Sequence, residues 1–264
     1  MEILRLDNFS VTYDGVRFAA DHVSLDVQKG EIVSIVGESG SGKSTVLHGI
    51  LGLLPQNAVC SGSCRLFDRE LATLSAQELR SMRGSRVSVI FQDTGRYLNP
   101  IARIGKQYRD FLRCHGIRSE QERLALEREQ LRKLHLHNPD RILDAYPFEL
   151  SGGMRQRVGI AMAMSLQPEL LLADEPTSAL DVTVQAQVIR QMLELRQRYG
   201  TTIIMVTHNM GVAAYISDRI AVMQNGKLVE WGPTETVIGA PKEAYTSDLL
   251  DAIVELDDER LRKR

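Results

Sequence analysis

Nine consecutive residues, Gly37-Glu38-Ser39-Gly40-Ser41-Gly42-Lys43-Ser44-Thr45, constrain this chain more than any other stretch. The first eight fill the pattern of a glycine, four residues, then Gly-Lys-Ser/Thr, in which a loop wraps its backbone N–H groups round a phosphate between a strand and a helix. Both flanks fit. Glu31 to Val36 is apolar and rich in β-branched residues, as a buried parallel strand is, and Ser44 to Leu54 carries apolar residues suited to a helix. Glycines at 37, 40 and 42 let the backbone turn tightly, and the following helix offers its positive end to an anion. Lys43 is then placed for the β- and γ-phosphates and Ser44 for Mg²⁺. The stretch predicts binding of a nucleoside triphosphate by all nine residues.

At 264 residues the chain is long enough for a substantial core with a smaller attached lobe. Thirty-two Lys and Arg against 34 Asp and Glu give a formal charge of -2, and no basic tail or aromatic-basic repeat is present. Nothing in that balance favours nucleic acid as a partner. The opening Met1-Glu2-Ile3-Leu4-Arg5 has no signal-peptide apolar region, and no apolar stretch is long enough for a bilayer, so the cytoplasm is the expected compartment. Cys60 and Cys64 lack a second pair or a nearby histidine to complete a metal site; with Cys114 they read as ordinary unpaired cysteines.

Along the chain, Ile3 to Tyr13 and Phe18 to Val27 read as extended runs before the nucleotide strand. Tyr13 is either a base-stacking ring beside the phosphate loop or a plain strand aromatic. Pro55 to Ser63 reads as loop, Cys64 to Phe67 as a short strand and Ser75 to Met82 as a short helix. Val87 to Phe91 is the next buried strand and delivers Gln92 at its carboxyl end, where ligand-facing residues belong in an open α/β sheet. Gln92 is read as a metal or water contact, or as the hinge of the loop Asp93 to Pro100. From Ile101 to about Asn138 the pattern turns helical, with Leu124, Leu131, Leu134 and Leu136 forming a narrow apolar face. This is a small exposed lobe whose charges are mostly solvated surface. Pro139 to Pro147 reads as loop.

Ser151-Gly152-Gly153 opens another helix through Leu166, which is a second anion site or an ordinary cap. Leu170 to Ala173 is a buried strand running into Asp174 and Glu175. Asp174 is placed for the Mg²⁺ shell, and Glu175 for orienting and deprotonating the water that attacks a γ-phosphate. Ser178 to Asp181 turns into a helix Val184 to Tyr199 ended by Gly200. Thr201 to Val206 is the next strand, and it ends in Thr207 and His208, the only histidine at a strand tip. His208 is a sensor of the γ-phosphate or a structural residue. A helix Met210 to Ser217 precedes a hairpin turning at Asn225-Gly226, with Trp231 at its end, and Glu243 to Leu261 reads as a charged helical tail.

In this order the motifs resemble an ABC-transporter ATPase subunit over almost the whole chain. Leu150-Ser151-Gly152-Gly153-Met154-Arg155-Gln156 resembles that family's signature, and Asp174-Glu175, the turn to Asp181, Gln92 and His208 complete its set. The resemblance implies an α/β fold: a P-loop NTPase ABC ATPase core with an antiparallel β subdomain and a small helical subdomain. The implied boundaries are 1–92 and 158–238 for the core, 93–157 for the helical signature subdomain and 239–264 for the tail. It implies ATP and Mg²⁺ as cofactors, Tyr13 as the adenine-stacking ring, and Gln92 as the link from metal to transporter. Catalysis falls to Glu175, His208, Gln92 and Lys43, and metal binding to Ser44, Gln92 and Asp174. The resemblance also implies that the signature acts in trans: two domains clamp two ATPs, each between the phosphate loop of one and Ser151-Gly152-Gly153 of the other, with Asp181 crossing the interface.

Within that family, Phe91-Gln92-Asp93, Leu98-Asn99-Pro100, Tyr146 to Ser151, Asp181 to Gln187 and Ala244 to Leu250 look like the oligopeptide, dipeptide and nickel importer group. Thr94, Tyr97 and Asn209 depart from the group's usual proline, serine and aspartate. The chain stops soon after Leu250 without a cysteine-containing extension, which points away from an iron–sulfur cluster and resembles the short nickel or metallophore members. The implied partners are two membrane permeases, a second ATPase that is a related chain or an identical copy, and indirectly an extracytoplasmic substrate-binding protein. The implied location is the cytoplasmic face of the membrane. The competing functions fit less well: repair ATPases of the family need a long coiled-coil insertion, and ribosomal ones two cassettes in one chain. Peptide, nickel and metal chelate stay open as cargo.

Overall fold

A computed structural model describes residues 1–92, 94–178 and 180–252. In chain order the strands are β1 (Glu2–Thr12), β2 (Phe18–Gln28), β3 (Ile32–Val36), β4 (Val59–Leu66), β5 (Arg69–Glu70), β6 (Val87–Ile90), β7 (Leu170–Asp174), β8 (Thr202–Thr207), β9 (Arg219–Gln224) and β10 (Lys227–Pro233). The helices are α1 (Lys43–Ile50), α2 (Ala76–Met82), α3 (Ile104–Cys114), α4 (Glu120–Lys133), α5 (Pro139–Asp144), α6 (Gly152–Met164), α7 (Val182–Tyr199), α8 (Met210–Ile216) and α9 (Thr234–Gly239). Residues 244–252 are also helical. The chain divides into two compact units, one of Met1–Leu79 with the chain from Thr202 onward, the other Arg80–Thr201.

In the first unit β1 lies between β2 and β4 in an antiparallel sheet, and it turns Leu4, Leu6, Phe9 and Val11 into the core. Beside it runs the order β10-β9-β3-β8, in which β3 is parallel to both β8 and β9. Every residue of β3 and β8 is buried, the continuous apolar run expected of parallel strands covered on both faces. Their register aligns Val36 with Thr207, so the phosphate loop and His208 leave the ends of neighbouring strands. The β9–β10 turn has Asn225 at φ 50 and Gly226 at φ 83, the pair of positive angles that matches the twist of a tight hairpin.

Two details of this unit depart from the sequence reading. Helix α1 ends at Ile50 and not at Leu54, because Gly52 takes a left-handed φ of 59 and Leu53 N–H turns back to the His48 carbonyl, closing the helix. Residues 59–63, expected as loop, belong to β4. Their exposed side chains carry no apolar alternation, yet Asp7 pairs with Ser63, Ser10 with Ser61 and Val11 with Cys60. Backbone pairing to a well-packed β1 makes that stretch a strand.

The second unit contains the parallel pair β6–β7, with Ile90 opposite Ala173, and the helices α3 to α7. Helix α4 packs on α3, α5 and α6, and Tyr108, Leu112, Leu131 and Ile142 fill the space between them. Side-chain caps open α4, α6 and α7: Ser119 accepts from Glu122 N–H, Ser151 from Met154 N–H and Asp181 from Val184 N–H. Helix α7 thus starts two residues before the expected Val184, and it ends as expected at Gly200 with φ 67. Residues read as loop from Pro139 form α5, capped by Asn138 with Pro139 at its first position. The expected tail helix is present over 244–252; its continuation to Leu261 lies outside the described residues. Among the described residues no helix is long and apolar enough to cross a membrane.

Candidate active site

The phosphate loop is shaped by main chain pressing on main chain. Gly37 has φ 148, and a Cβ there would overlap the carbonyl oxygen of Met223 in β9. Gly42, at φ 98, precedes α1, and a Cβ there would overlap the Ala19 carbonyl oxygen in β2. Only glycine meets both demands. Gly226 N–H, from the β9–β10 turn, donates to the Ser41 carbonyl at 3.0 Å. Lys43 is only 4% exposed. Its Nζ donates to the Gly37 carbonyl at 2.8 Å, the Glu38 carbonyl at 2.6 Å and Ser41 Oγ at 3.4 Å. A buried ammonium needs such partners, and these three hold it against the inside of the loop.

Around this loop the first unit places two further expected residues. The Tyr13 hydroxyl lies 3.3 Å from Thr45 Oγ1, which sets the half-exposed ring beside the start of α1. His208 follows β8 and is exposed. Asn209, next to it, accepts from Val212 N–H and so caps α8, which an aspartate would do equally well. The departure from the group's pattern therefore leaves the local fold intact.

The second unit gathers the acids. Asp174 ends β7 and is buried, while Glu175 follows in left-handed backbone at φ 43. A non-glycine residue held there costs on the order of 1–3 kcal/mol, and such positions cluster at functional sites. The Glu175 carbonyl accepts from Ser178 N–H at 3.2 Å and Oγ at 3.1 Å, which fixes the turn. Gln92 Nε2 donates to Glu175 Oε2 at 3.1 Å. Two residues 83 positions apart in sequence thus meet at the tips of adjacent parallel strands.

Gln156 carries this arrangement and received no role from sequence. Its buried amide donates to the Phe91 carbonyl at 3.0 Å and the Pro176 carbonyl at 3.3 Å, tying the residue before Gln92 to the residue after Glu175. A polar amide on the core face of α6 is the signal that could have found it. The start of the same helix is open. A Cβ at Gly153 would meet Leu180 at an ordinary 3.5 Å, and one at Gly152 would meet nothing nearer than 4.0 Å, unlike Gly37 and Gly42 of the phosphate loop. Asp181 is exposed and spends one carboxylate oxygen on capping α7.

Ser44, Asp174 and Gln92, the residues expected to hold a divalent cation, each carry an oxygen, the ligand atom Mg²⁺ takes. Gln92 uses its amide nitrogen on Glu175, which leaves its carbonyl oxygen as the atom that could meet a cation. The two glycines where a Cβ would strike backbone fit a close-fitting phosphate cradle.

A sequence profile described as ABC transporter matches residues 20–178. An oligopeptide transport ATP-binding protein, OppD of Salmonella typhimurium, is 40% identical over 260 residues, covering 97% of this chain and 78% of that protein. A peptidoglycan transport ATP-binding protein, YejF of Agrobacterium fabrum, is 44% identical over 236 residues, covering 89% of this chain; the chain spans only 43% of that relative's length. Among solved structures, the ATP-binding cassette MJ0796, a dimer in a post-hydrolysis state bound to ADP and Pi, superposes with a TM-score of 0.79 at 30% identity. That match covers 88% of this chain and 99% of the cassette.

Proposed function

The chain belongs to the ATP-binding family of ABC transporters, and from that membership we propose that it is the Mg²⁺-dependent ATP-hydrolysing subunit of a peptide importer. The observation that carries the hydrolytic reading is the Gln92–Glu175 hydrogen bond at the tips of β6 and β7. Glu175 accepts a proton from water as the water oxygen bonds to the γ-phosphorus and the bond to the bridging oxygen of ADP breaks. Gln92 holds that carboxylate in place, and Gln156 holds the two loops that carry the pair. Lys43 neutralises charge on the β- and γ-phosphates, Tyr13 offers its ring to the adenine, and His208 binds the γ-phosphate. The nine-residue loop from Gly37 to Thr45 encloses the phosphates. Mg²⁺, held by Ser44, Asp174 and Gln92, supplies neutralising charge for the transferred phosphoryl group.

Two copies of this kind of chain are needed for turnover. Gly152 and Gly153, behind the Ser151 cap, present open backbone at a helix start that nothing in their own unit requires to be glycine, which supports an ATP phosphate from a partner as its occupant. Asp181, at the start of α7, crosses to the partner in the same arrangement. The partner ATPase is a related chain, with a homodimer as the alternative, and two permeases complete the transporter at the cytoplasmic face of the membrane. The permease seat is the loop 97–103, where Tyr97 and Ile101 are 63% and 84% exposed. Tyr97 also stacks on Phe91 at 4.1 Å between centroids, so a push on this loop reaches the residue next to Gln92. We keep 93–157 as the helical signature subdomain, between core segments 1–92 and 158–238, with 239–264 as the tail. Peptides are preferred to nickel as cargo because the relatives are named for oligopeptide and peptidoglycan transport.

The test is Glu175→Gln. The neutral amide preserves a carbonyl that accepts from Gln92 but removes the base, so MgATP binding should stay near wild type while hydrolysis slows by about 10²-fold or more. Lys43→Ala, by contrast, should weaken binding itself. Near-wild-type turnover in Glu175→Gln would refute the assignment.

A further inference from the structure

We infer that Tyr245 positions the phosphate loop by locking the peptide between Gly37 and Glu38, on which the Lys43 ammonium rests. The Tyr245 hydroxyl accepts from Glu38 N–H at 2.9 Å, although the two residues are 207 positions apart. The carbonyl of the same peptide, that of Gly37, accepts from Lys43 Nζ at 2.8 Å. A peptide unit is planar with its N–H and C=O pointing to opposite sides. Tyr245 and Lys43 therefore grip one rigid plate from its two edges. The plate needs gripping: Gly37 adjoins it, and glycine lets a peptide rotate at little steric cost. Rotation would swing the carbonyl away from the ammonium and displace the charge meant for the phosphates.

The tyrosine is itself held firmly. Its ring packs on a buried cluster of Val36, Met210, Ala213, Ile220, Val222 and Val237, and Val36 immediately precedes the plate. Glu230 of β10 fixes the entry to the 244–252 helix, since its carboxylate accepts from Lys242 N–H at 2.9 Å and Glu243 N–H at 3.4 Å. Thr246, the next residue, is fully buried. The C-terminal segment thus carries a hydroxyl to the phosphate loop on a packed support, and the loop's geometry depends on a residue of the stretch Ala244 to Leu250, far beyond the nucleotide motifs in sequence. Tyr245 touches no substrate in this scheme; it acts through the Gly37 peptide on Lys43.

The inference rests on the reading of Lys43 as the phosphate-facing cation, and the experiment separates the two. Tyr245→Phe keeps the ring and removes only the acceptor. MgATP titrated into the full chain should bind about 2- to 10-fold more weakly than to wild type, the range of a single lost hydrogen bond. In a Lys43→Ala background the same substitution should change affinity no further, because the group it acts through is gone. Wild-type affinity in Tyr245→Phe overturns the inference. An equal loss in both backgrounds does so too, since it marks a general effect on stability. If Lys43→Ala weakens binding and Tyr245→Phe does not, the Tyr245 inference alone falls; if the wild-type chain fails to bind MgATP, the nucleotide reading falls and takes it along.

Discussion

Glu127 of α4 is fully buried, and neither carboxylate oxygen has a hydrogen-bond partner. Its nearest cation, Arg109 on α3, stands 3.7 Å away and is itself partly solvated. Burial raises its pKa from 4.5 to about 7, against the opposing pull of Arg109, Arg123 and Arg128; the buried Tyr108 hydroxyl is the other titratable group beside it. The folded chain therefore binds more protons than the unfolded one between those values. The stability this proton confers is fully present below pH 4.5 and is lost as pH rises through about 7. From pH 5 to 8 the loss amounts to about 2–3 kcal/mol, taking 1.36 kcal/mol per pKa unit. Glu127→Leu removes the carboxyl and leaves Arg109 its water, so the variant should not share that loss. At about 2–4 °C per kcal/mol for a protein near this size, the melting temperature of Glu127→Leu relative to wild type should climb by roughly 5–10 °C between pH 5 and pH 8. Melting curves of both proteins at intervals across that range measure it. Other groups, such as His115 with its lowered pKa, are common to both and cancel in the difference. Parallel curves, or a variant that loses ground as pH rises, would show that Glu127 is not a charge trapped without hydration.

Gly42→Ala forces a Cβ against the Ala19 carbonyl at φ 98, so MgATP binding should be lost by about 10-fold or more while the circular dichroism of the fold persists, as nucleotide titration would show. Ile101→Asp changes a side chain that is 84% exposed, so it should alter stability by less than about 0.5 kcal/mol and leave basal ATP hydrolysis unchanged, while transport by the reconstituted complex falls. Measuring both activities on the same vesicles decides that point, and equal loss of the two would place the permease contact elsewhere.

What was legible in the sequence had a local cause. The phosphate loop, the Asn225-Gly226 hairpin, the Ser151 cap and the Gly200 stop all announce themselves within a few residues, because each is a backbone conformation that one residue type makes easy. The strand character of 59–63 was hidden since its residues are mostly exposed and lack an apolar alternation, and its pairing comes from β1. Helix α5 was hidden because six residues carry too little periodicity, although Asn138-Pro139 is a fair start signal. Glu127 stood among the charges of a lobe read as mostly solvated, and nothing local distinguishes it from its exposed neighbours. The partners of Gln156 and Tyr245 were hidden for another reason, although the polar amide of Gln156 on a core-facing helix position was itself a signal. Each residue acts on backbone 20 to 207 positions away, and such partners leave no trace in spacing.

The walls of the phosphate loop are the Met223 and Ala19 carbonyls and the Gly226 N–H. None of these groups belongs to a side chain. Amino-acid replacements in β2 and at the tip of the β9–β10 hairpin that keep the backbone path therefore leave the cradle standing, whatever they do to the surface. Changes of length behave differently. One residue inserted near Ala19 or beside Asn225 would shift the register of a wall, carrying a carbonyl away from its glycine or withdrawing the N–H from Ser41. The Asn-Gly turn, which looks like a convenient exposed loop for grafting a tag or opening a new chain terminus, is accordingly a poor site for either.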